Sequence, residues 1–187
     1  MTHEHDDWRD GRCSECERLL LRRHFVYADP PYVGCAALYD HPDAARWDEP
    51  ETHVELLRLL DADEAIDGWA VSASAPSLRL LLPAAPEGTR VAAWVKPFAA
   101  YKRNIRVAYT WEPVLFRVKR DRRPGDPVTR DHLAASIARM RGLPGAKPER
   151  FAEWVRLLLG AQPGDDVEDL FPGTGTCGEV FDRLRLL

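Results

Sequence analysis

"DLFPGTGTCG", residues 169–178, is the stretch that decides the fold we expect, because it joins a strand pattern to a helix pattern through a glycine turn. Gly173 and Gly175 allow the backbone to approach a ligand closely, and Gly178 is expected to allow tight helix packing. The backbone amides at the start of the following helix favour polar or anionic groups. A tight strand–helix turn that holds no ligand is the alternative, and the turn alone leaves it open.

The residues around this turn exclude two common nucleotide sites. No Lys-Ser or Lys-Thr pair follows the glycines, so the turn is not a phosphate-binding P-loop. A dinucleotide fingerprint needs an acidic residue about 20 positions after the turn. The sequence reaches its last residue, Leu187, before that position.

Strand and helix patterns alternate along the rest of the chain. Strands are expected at 24–31, 67–74, 89–98 and 112–120, and helices at 51–63, 76–86, 129–142 and 147–160. Thr129 is the expected cap of its helix. Strands that alternate with helices predict an α/β fold, with a largely parallel sheet covered by helices on both faces.

Length and composition bound the domain organisation. With 187 residues, 45% of them hydrophobic, the chain is long enough for one domain with a core. We therefore expect a polar N-terminal segment at 1–23 and a single domain at 24–187. The formal net charge of −4 gives no overall electrostatic attraction for nucleic acid, so such binding needs a local basic patch.

The sequence also indicates a compartment. No apolar run approaches the roughly 18 to 20 residues that cross a bilayer, and the N-terminus is polar and acidic. We expect no membrane association and a cytoplasmic location. Cys13 and Cys16 form a lone C-x-x-C pair, whereas a zinc site needs four ligands, so no metal is predicted. Cys35 and Cys177 are expected to be small buried residues.

A second unusual stretch, "YADPPYVG" at 27–34, ends the first expected strand. Its two prolines fix two φ angles, remove two backbone donors and push Asp29 towards an extended conformation. Carbonyl groups are then left unpaired and rigidly aimed beside a carboxylate. Such a corner is either a plain strand end or a means of holding a group with N–H donors.

"DPPY" at 29–32 and "DLFPGTG" at 169–175 together resemble the amino-methyltransferases of nucleic-acid bases, the N6-adenine and N4-cytosine enzymes that use S-adenosylmethionine. "GAKPERFAEW" at 145–154 resembles the family's Lys-Pro cofactor motif, and "WVKP" with "YTWEPVLF" resembles its later strands. The order of the motifs is that of the permuted β class, and the resemblance covers nearly all of 24–182. It implies a compact Rossmann-like sheet. The sequence ends before the family's last two strands, so we expect these to be missing.

The resemblance implies roles for the DPPY tetrad. An exocyclic amine is a poor nucleophile because its lone pair is delocalised into the ring. Asp29 and the Pro30 carbonyl would each accept one amine hydrogen, and both prolines, with Pro31, would keep these acceptors fixed. Tyr32 would stack on the extruded base. Without a ligand, Asp29 would instead cap a turn or pair with an arginine, and Tyr32 would belong to the core.

The resemblance also implies a binding site for S-adenosylmethionine. The residues it assigns to the cofactor are Lys147, Asp169, Phe171, Gly173, Thr174 and Gly175. Lys147 would contact the methionine carboxylate or would simply be a solvated lysine. Two further residues stay open, because Glu112 and Lys96 would lie near the pocket in the family but would equally suit the surface.

Basic residues supply the candidate nucleic-acid contacts. They are Lys102, Arg103, Arg106, Arg120, Arg122 and Arg123. The segment 120–146 is a short candidate target-recognition insert. The expected activity is methylation of adenine N6, with cytosine N4 second, and DNA is favoured over RNA or a small molecule. The alternative is a non-catalytic nucleic-acid-binding or regulatory subunit, and a homodimer or partner subunit would complete a shortened pocket.

Overall fold

The structure, a computed structural model, describes residues 22–39, 42–98, 106–123, 125–138 and 146–186, together with the backbone of 8–9 and 12–13. The last two pieces form a short antiparallel pair, Trp8–Arg9 with Arg12–Cys13. Everything else belongs to an α/β fold with one six-stranded sheet, as the alternating patterns predict.

The strands and helices fall close to their expected positions. The strands are β1 His24–Ala28, β2 Gly68–Ser72, β3 Arg90–Val95, β4 Trp111–Val118, β5 His132–Ala134 and β6 Asp166–Asp169. The helices are α1 Pro50–Ala62, α2 Leu78–Leu81, α3 Glu149–Leu159 and α4 Thr176–Arg185. Short 3-10 turns occur at Ala36–Leu38, Ala44–Asp48, Ala75–Ser77 and Leu82–Ala84.

The sheet is mostly parallel, and its strand order is β5-β3-β4-β2-β1-β6. Only β4 runs against its neighbours; β3 pairs with β5, and β1 with both β2 and β6, in parallel. The carboxyl ends of β1, β3 and β6 therefore lie at one edge of the sheet, together with the start of β4. We call this the site edge, and the opposite one, where β4 ends, the far edge.

Helices cover both faces of the sheet, as expected. Because side chains alternate along a strand, Phe25 and Tyr27 pack on one face with α3 and α4, whereas Val26 packs on the other with α1 and α2. Tyr27 meets Phe151 and Phe181 edge to face, with ring centroids 5.9 and 6.0 Å apart. The two cores hold the strand ends rigidly, which fixes the residues that follow them.

One expected helix is wrong. Within 129–142, the part that the structure describes forms the short edge strand β5 rather than a helix begun by Thr129. Pairing with β3 and a hydrogen bond from the Trp94 indole to the Ala135 carbonyl (2.8 Å) fix this extended course. Long-range pairing here outweighs the local helix preference. Within the described part of 120–146, residues 132–134 thus form a strand of the sheet.

Two smaller expectations also need correction. A Cβ atom on Gly178 would meet no atom within 4 Å, so close helix packing does not explain that glycine. Cys177 is buried as expected, but Cys35 is only partly buried. Within the part of the chain that the structure describes, no helix is long and apolar enough to cross a membrane.

Candidate active site

The DPPY corner and the glycine turn lie side by side at the site edge. In the β1–β6 pair, Tyr27 is the register partner of Asp169, and the Leu170 amide donates to the Tyr27 carbonyl at 3.0 Å. Asp29 follows one of these strands and the glycine turn follows the other. The two corners therefore lie next to each other at the site edge.

An ammonium group joins Asp29 to the start of α3. Lys147 Nζ donates to Asp29 Oδ2 at 2.9 Å and to Oδ1 at 3.1 Å. Pro148 caps α3, so the lysine just before it is held at the helix entrance. The structure thus places Lys147 on the proposed catalytic carboxylate.

Glu112 completes this cluster from strand β4, which is separated from β1 by β2. Its Oε2 lies 3.2 Å from Lys147 Nζ and accepts from the Tyr32 hydroxyl at 3.0 Å, while Oε1 pairs with Lys96. Tyr32 also lies within hydrogen-bond distance of Asp29 Oδ1, at 3.2 Å. We call these five residues, Asp29, Tyr32, Lys96, Glu112 and Lys147, the charged cluster.

Burial makes the charges of this cluster strongly interdependent. Lys147 is only 8% exposed, and its ammonium lies 5.3 to 5.6 Å from the ring centres of Tyr32, Trp94 and Phe151. Burial opposes the charged form, but the Asp29 and Glu112 carboxylates outweigh it and raise the pKa of Lys147 well above its ordinary value. Lys147 is therefore a permanent hydrogen-bond donor and not a proton acceptor.

The same contacts shift the pKa values of Glu112 and Tyr32. Burial raises the pKa of Glu112, but the ammonium groups of Lys147 and Lys96 outweigh this, and the pKa lies below its ordinary value. Burial, with Asp29 and Glu112, raises the pKa of Tyr32 well above its ordinary value, so the phenol stays neutral. The site consequently presents ionised carboxylate, ammonium and a neutral hydroxyl together.

The glycine turn requires glycine at two positions. Gly173 has φ 47° and Gly175 has φ 81°, which a residue with a side chain rarely adopts. The Gly175 amide donates to the Pro172 carbonyl at 2.6 Å and α4 begins at the next residue. The turn is thus closed by its own backbone.

Asp169 and Phe171 stand at the start of this turn. The Phe171 amide donates to Asp169 Oδ1 at 3.1 Å, and burial, with the nearby Asp29 charge, raises the pKa of Asp169. The Phe171 ring meets Trp47 edge to face at 5.0 Å. Thr174, also assigned to the cofactor, shares a hydrogen bond with Thr176 at 3.0 Å. The six residues assigned to the cofactor from the sequence thus all lie at the site edge.

The prolines and the tyrosine of the tetrad are more buried than residues of a surface loop usually are. Pro30 and Pro31 are both buried, and Tyr32 is half-buried with its hydroxyl directed at two carboxylates. The Cys35 amide donates to the Tyr32 carbonyl at 2.8 Å, which closes a turn directly after the tetrad. Tyr32 therefore already takes part in the charged cluster through its hydroxyl.

The predicted basic residues that the structure describes lie before and after strand β4 rather than together. Arg120, Arg122 and Arg123 lie at the far edge, because β4 carries the chain across the sheet before reaching them. Arg106, which is exposed, precedes β4 on the site-edge side. Lys102 and Arg103 lie outside the described residues.

The far-edge arginines have partners within the fold. Arg120 pairs with Asp67 at 2.7 Å, and Arg122 donates to the Asp126 carbonyl at 3.1 Å. Arg123 donates to Asp165 Oδ1 at 3.1 Å, and Asp165 is 2% exposed. These contacts give the three arginines a structural role within the fold. A contact with nucleic acid stays a prediction.

The sequence alone leaves open whether Glu112 and Lys96 lie at the site or on the surface, but it contains a signal for both. "WVKP" and "TWEP" are the end of one strand and the start of the next, and an antiparallel pairing brings these ends together. In the structure Trp94 is the register partner of Glu112, which puts Lys96 beside the same carboxylate. Among the described residues no group of three or more His, Cys, Asp or Glu is arranged to hold a metal ion.

No protein-family model and no curated protein matches the chain. Several solved structures match it. The M1.HpyAVI complex with SAM matches with a TM-score of 0.55 at 19% identity, over 91% of this chain and 82% of that one. PvuII DNA methyltransferase, described as cytosine-N4-specific, matches with 0.59 at 17% identity, over 87% and 72%.

A third match is TTHA0409 from Thermus thermophilus, a putative DNA modification methylase complexed with S-adenosyl-L-methionine. It has a TM-score of 0.52 and 15% identity, over 90% of this chain and 81% of that one. At these identities the likeness concerns the fold. The chain therefore has the α/β fold of the DNA methyltransferases, with its charged cluster and its glycine turn at one edge of the sheet.

Proposed function

We propose that this protein transfers the methyl group of S-adenosylmethionine to an exocyclic amine of a nucleic-acid base. One observation carries the proposal: Asp29, held in a buried hydrogen-bonded cluster, lies at the same sheet edge as the glycine turn. The fold shared with DNA methyltransferases, one solved with SAM, supports it.

The residues present fit the cofactor in charge and in shape. The carboxylates of Asp29 and Glu112 are paired with the ammonium groups of Lys147 and Lys96, so Asp169 at the start of the glycine turn would carry the one unmatched negative charge when ionised. A cofactor with one net positive charge matches this balance. The glycine turn leaves its backbone uncovered, since a Cβ on Gly173 would meet only the Phe171 carbonyl, at 3.7 Å.

The chain's own residues would prepare the amine. Asp29 accepts a hydrogen of the amine, which favours a tetrahedral nitrogen and frees its lone pair. The buried prolines keep this acceptor fixed. Lys147 stays charged and neutralises the carboxylate. Bound S-adenosylmethionine supplies an electrophilic methyl group on a sulfonium, so alignment of the two reactants provides much of the acceleration.

We favour adenine N6 as the acceptor and cytosine N4 second, because the tetrad begins with an acid. DNA is favoured over RNA or a small molecule. Arg106, which is exposed and precedes β4, would contact the phosphate backbone, and the sequence adds Lys102 and Arg103 as further candidates. Exposed aromatic side chains in the same region, Phe98 and Tyr109, suit stacking on unpaired bases.

A non-catalytic subunit is the second candidate. The observation in its favour is that β6, which carries the glycine turn, is an edge strand of the described sheet. On its own, the chain would then form only one side of a cofactor pocket, and a second copy or a partner subunit would form the other side. Such a protein would bind nucleic acid without methylating it.

Mass spectrometry of nucleosides tests the proposal. DNA and RNA from cells that express wild type, Asp29→Ala or the surface control Glu55→Gln would be digested and compared. A methylated adenine or cytosine in the wild-type and Glu55→Gln samples, absent with Asp29→Ala, is the expected result. Equal methylation in all samples, or none with purified protein and S-adenosylmethionine, would exclude the proposed activity.

A further inference from the structure

The two carboxylates of the charged cluster converge on a single point. Lys147 Nζ lies 2.9 Å from Asp29 Oδ2 and 3.2 Å from Glu112 Oε2, although the two acids come from different strands. The Tyr32 hydroxyl also lies between them, 3.2 Å from Asp29 Oδ1 and 3.0 Å from Glu112 Oε2. Asp29 and Glu112 therefore share two hydrogen-bonding partners, Lys147 and Tyr32, and lie on either side of them.

Each carboxylate keeps capacity for one more donor. Two carboxylates offer about eight lone-pair sites. Contacts with Lys147, Tyr32 and Lys96 number six, of which at most five are hydrogen bonds at one time because the Tyr32 hydroxyl has a single hydrogen. Among the residues that the structure describes, at least one site therefore stays open on Asp29 Oδ2 and one on Glu112 Oε1. The Asp29 and Glu112 side chains are 26% and 14% exposed, so donors can reach both from the crevice.

We propose that Glu112 is a second catalytic acceptor, so that Asp29 and Glu112 each receive one hydrogen of the substrate's NH2 group, and that Lys147 is the positioning residue that holds the two carboxylates together. The inference rests on the proposed function and names a carboxylate where the sequence suggested the Pro30 carbonyl. As the nitrogen–methyl bond forms, the carbon–sulfur electron pair stays on sulfur. One N–H bond then breaks, and its proton passes to one of the two carboxylates.

The need for Lys147 follows from the charges around it. Two carboxylates that share the same partners repel each other, and a neutral partner would let one of them take up a proton. Lys147 from the α3 entrance and Lys96 from the end of β3 oppose this, and Tyr32 donates its hydroxyl. Asp169, beyond Asp29 at the end of β6, adds a further acid. Replacing Lys147 by a neutral residue would therefore raise the pKa of Glu112.

Kinetics of Glu112→Gln test the acceptor role. This variant keeps the size of the side chain but loses its charge, and Glu55→Gln on the exposed face of α1 is the matched control. We expect kcat for the methylated base to fall about 100-fold, with the Kd for S-adenosylmethionine within about threefold of wild type. Glu55→Gln should match wild type in both.

Three outcomes would overturn the inference. They are an unchanged kcat in Glu112→Gln, an equally large loss of cofactor affinity, and recovery of wild-type kcat by Glu112→Leu. Each of these would leave methyl transfer by wild type intact, so the proposed function would stand. No transfer by wild type would instead exclude the proposed function and this inference with it.

A pH profile separates positioning from mere structural support. Lys147→Met should shift the acidic limb of kcat/KM to higher pH, because an ionised Glu112 is required and its pKa rises without the ammonium. Lys147→Arg keeps the charge and should restore most of the wild-type profile. A uniform fall in rate at every pH, equal in both variants, would contradict a positioning role. Melting curves of both variants check that they are folded.

Discussion

Tyr27 and Asp169 are register partners on neighbouring parallel strands, although they lie near opposite ends of the chain. The chain leaves β1 two residues after Tyr27 through the DPPY corner, and leaves β6 directly after Asp169 through the glycine turn. Because parallel strands end at the same edge, this pairing puts both corners side by side at the site edge. The proposed chemistry depends on that adjacency.

The first prediction concerns two glycines with opposite surroundings. A Cβ on Gly68 in β2 would lie 2.9 Å from the Arg117 carbonyl oxygen and 3.1 Å from Val118 Cα, so Gly68→Ala should lower the free energy of unfolding by about 2 kcal/mol. A Cβ on Gly178 in α4 would meet nothing, so Gly178→Ala should raise it by roughly 0.5–1 kcal/mol. Urea unfolding measures both. A tolerated Gly68→Ala would contradict the close approach of β4.

The second prediction concerns the far-edge arginines. Arg123 donates to the buried carboxylates of Asp165 and Asp126, whereas Arg120 forms an exposed pair with Asp67. Arg123→Ala should lower the free energy of unfolding by about 3 kcal/mol, because it removes the cation that pairs with the buried Asp165 carboxylate. Arg120→Ala should leave the urea midpoint close to that of wild type. Equal effects of the two substitutions would contradict the described burial.

The third prediction concerns thiol reactivity. Burial raises the pKa of Cys177 to about 12, so very little thiolate exists at pH 8 in the folded protein. Cys35 is partly exposed and should react with iodoacetamide much faster. Peptide mapping after brief labelling measures both, and both should react equally once urea unfolds the chain. Fast native labelling of Cys177 would show that the α4 entrance opens readily.

Much of the fold could be predicted from local patterns. The first strand, the helix at 50–62 and the strand–turn–helix at 166–185 appear as expected. The first strand is an apolar run that prolines close, the helix at 50–62 has an amphipathic pattern, and the glycine turn marks the start of the last helix. The helix predicted at 129–142 was wrong because the edge strand at 132–134 has only three residues and therefore shows no periodicity of its own. Its conformation comes from pairing with β3.

The site was predictable only in part. DPPY and the glycine turn have sequence motifs, whereas the position of Glu112 depends on strand β4 running antiparallel and returning it to the site edge. The arginines that follow β4 lie at the far edge for the same reason. A run of charges after a strand indicates nothing about which edge of the sheet the strand has reached. Long-range topology decides both cases.

Calorimetric titration with S-adenosylmethionine tests the central claim, that the two corners bound one cofactor crevice. We predict one site per chain in wild type, near-normal affinity in Asp29→Asn, and loss of binding in Gly175→Val, whose φ of 81° suits only glycine. Gly164→Val imposes the same strain in the turn before β6 and should still bind. Absence of heat with wild type, or undiminished binding by Gly175→Val, would contradict the account.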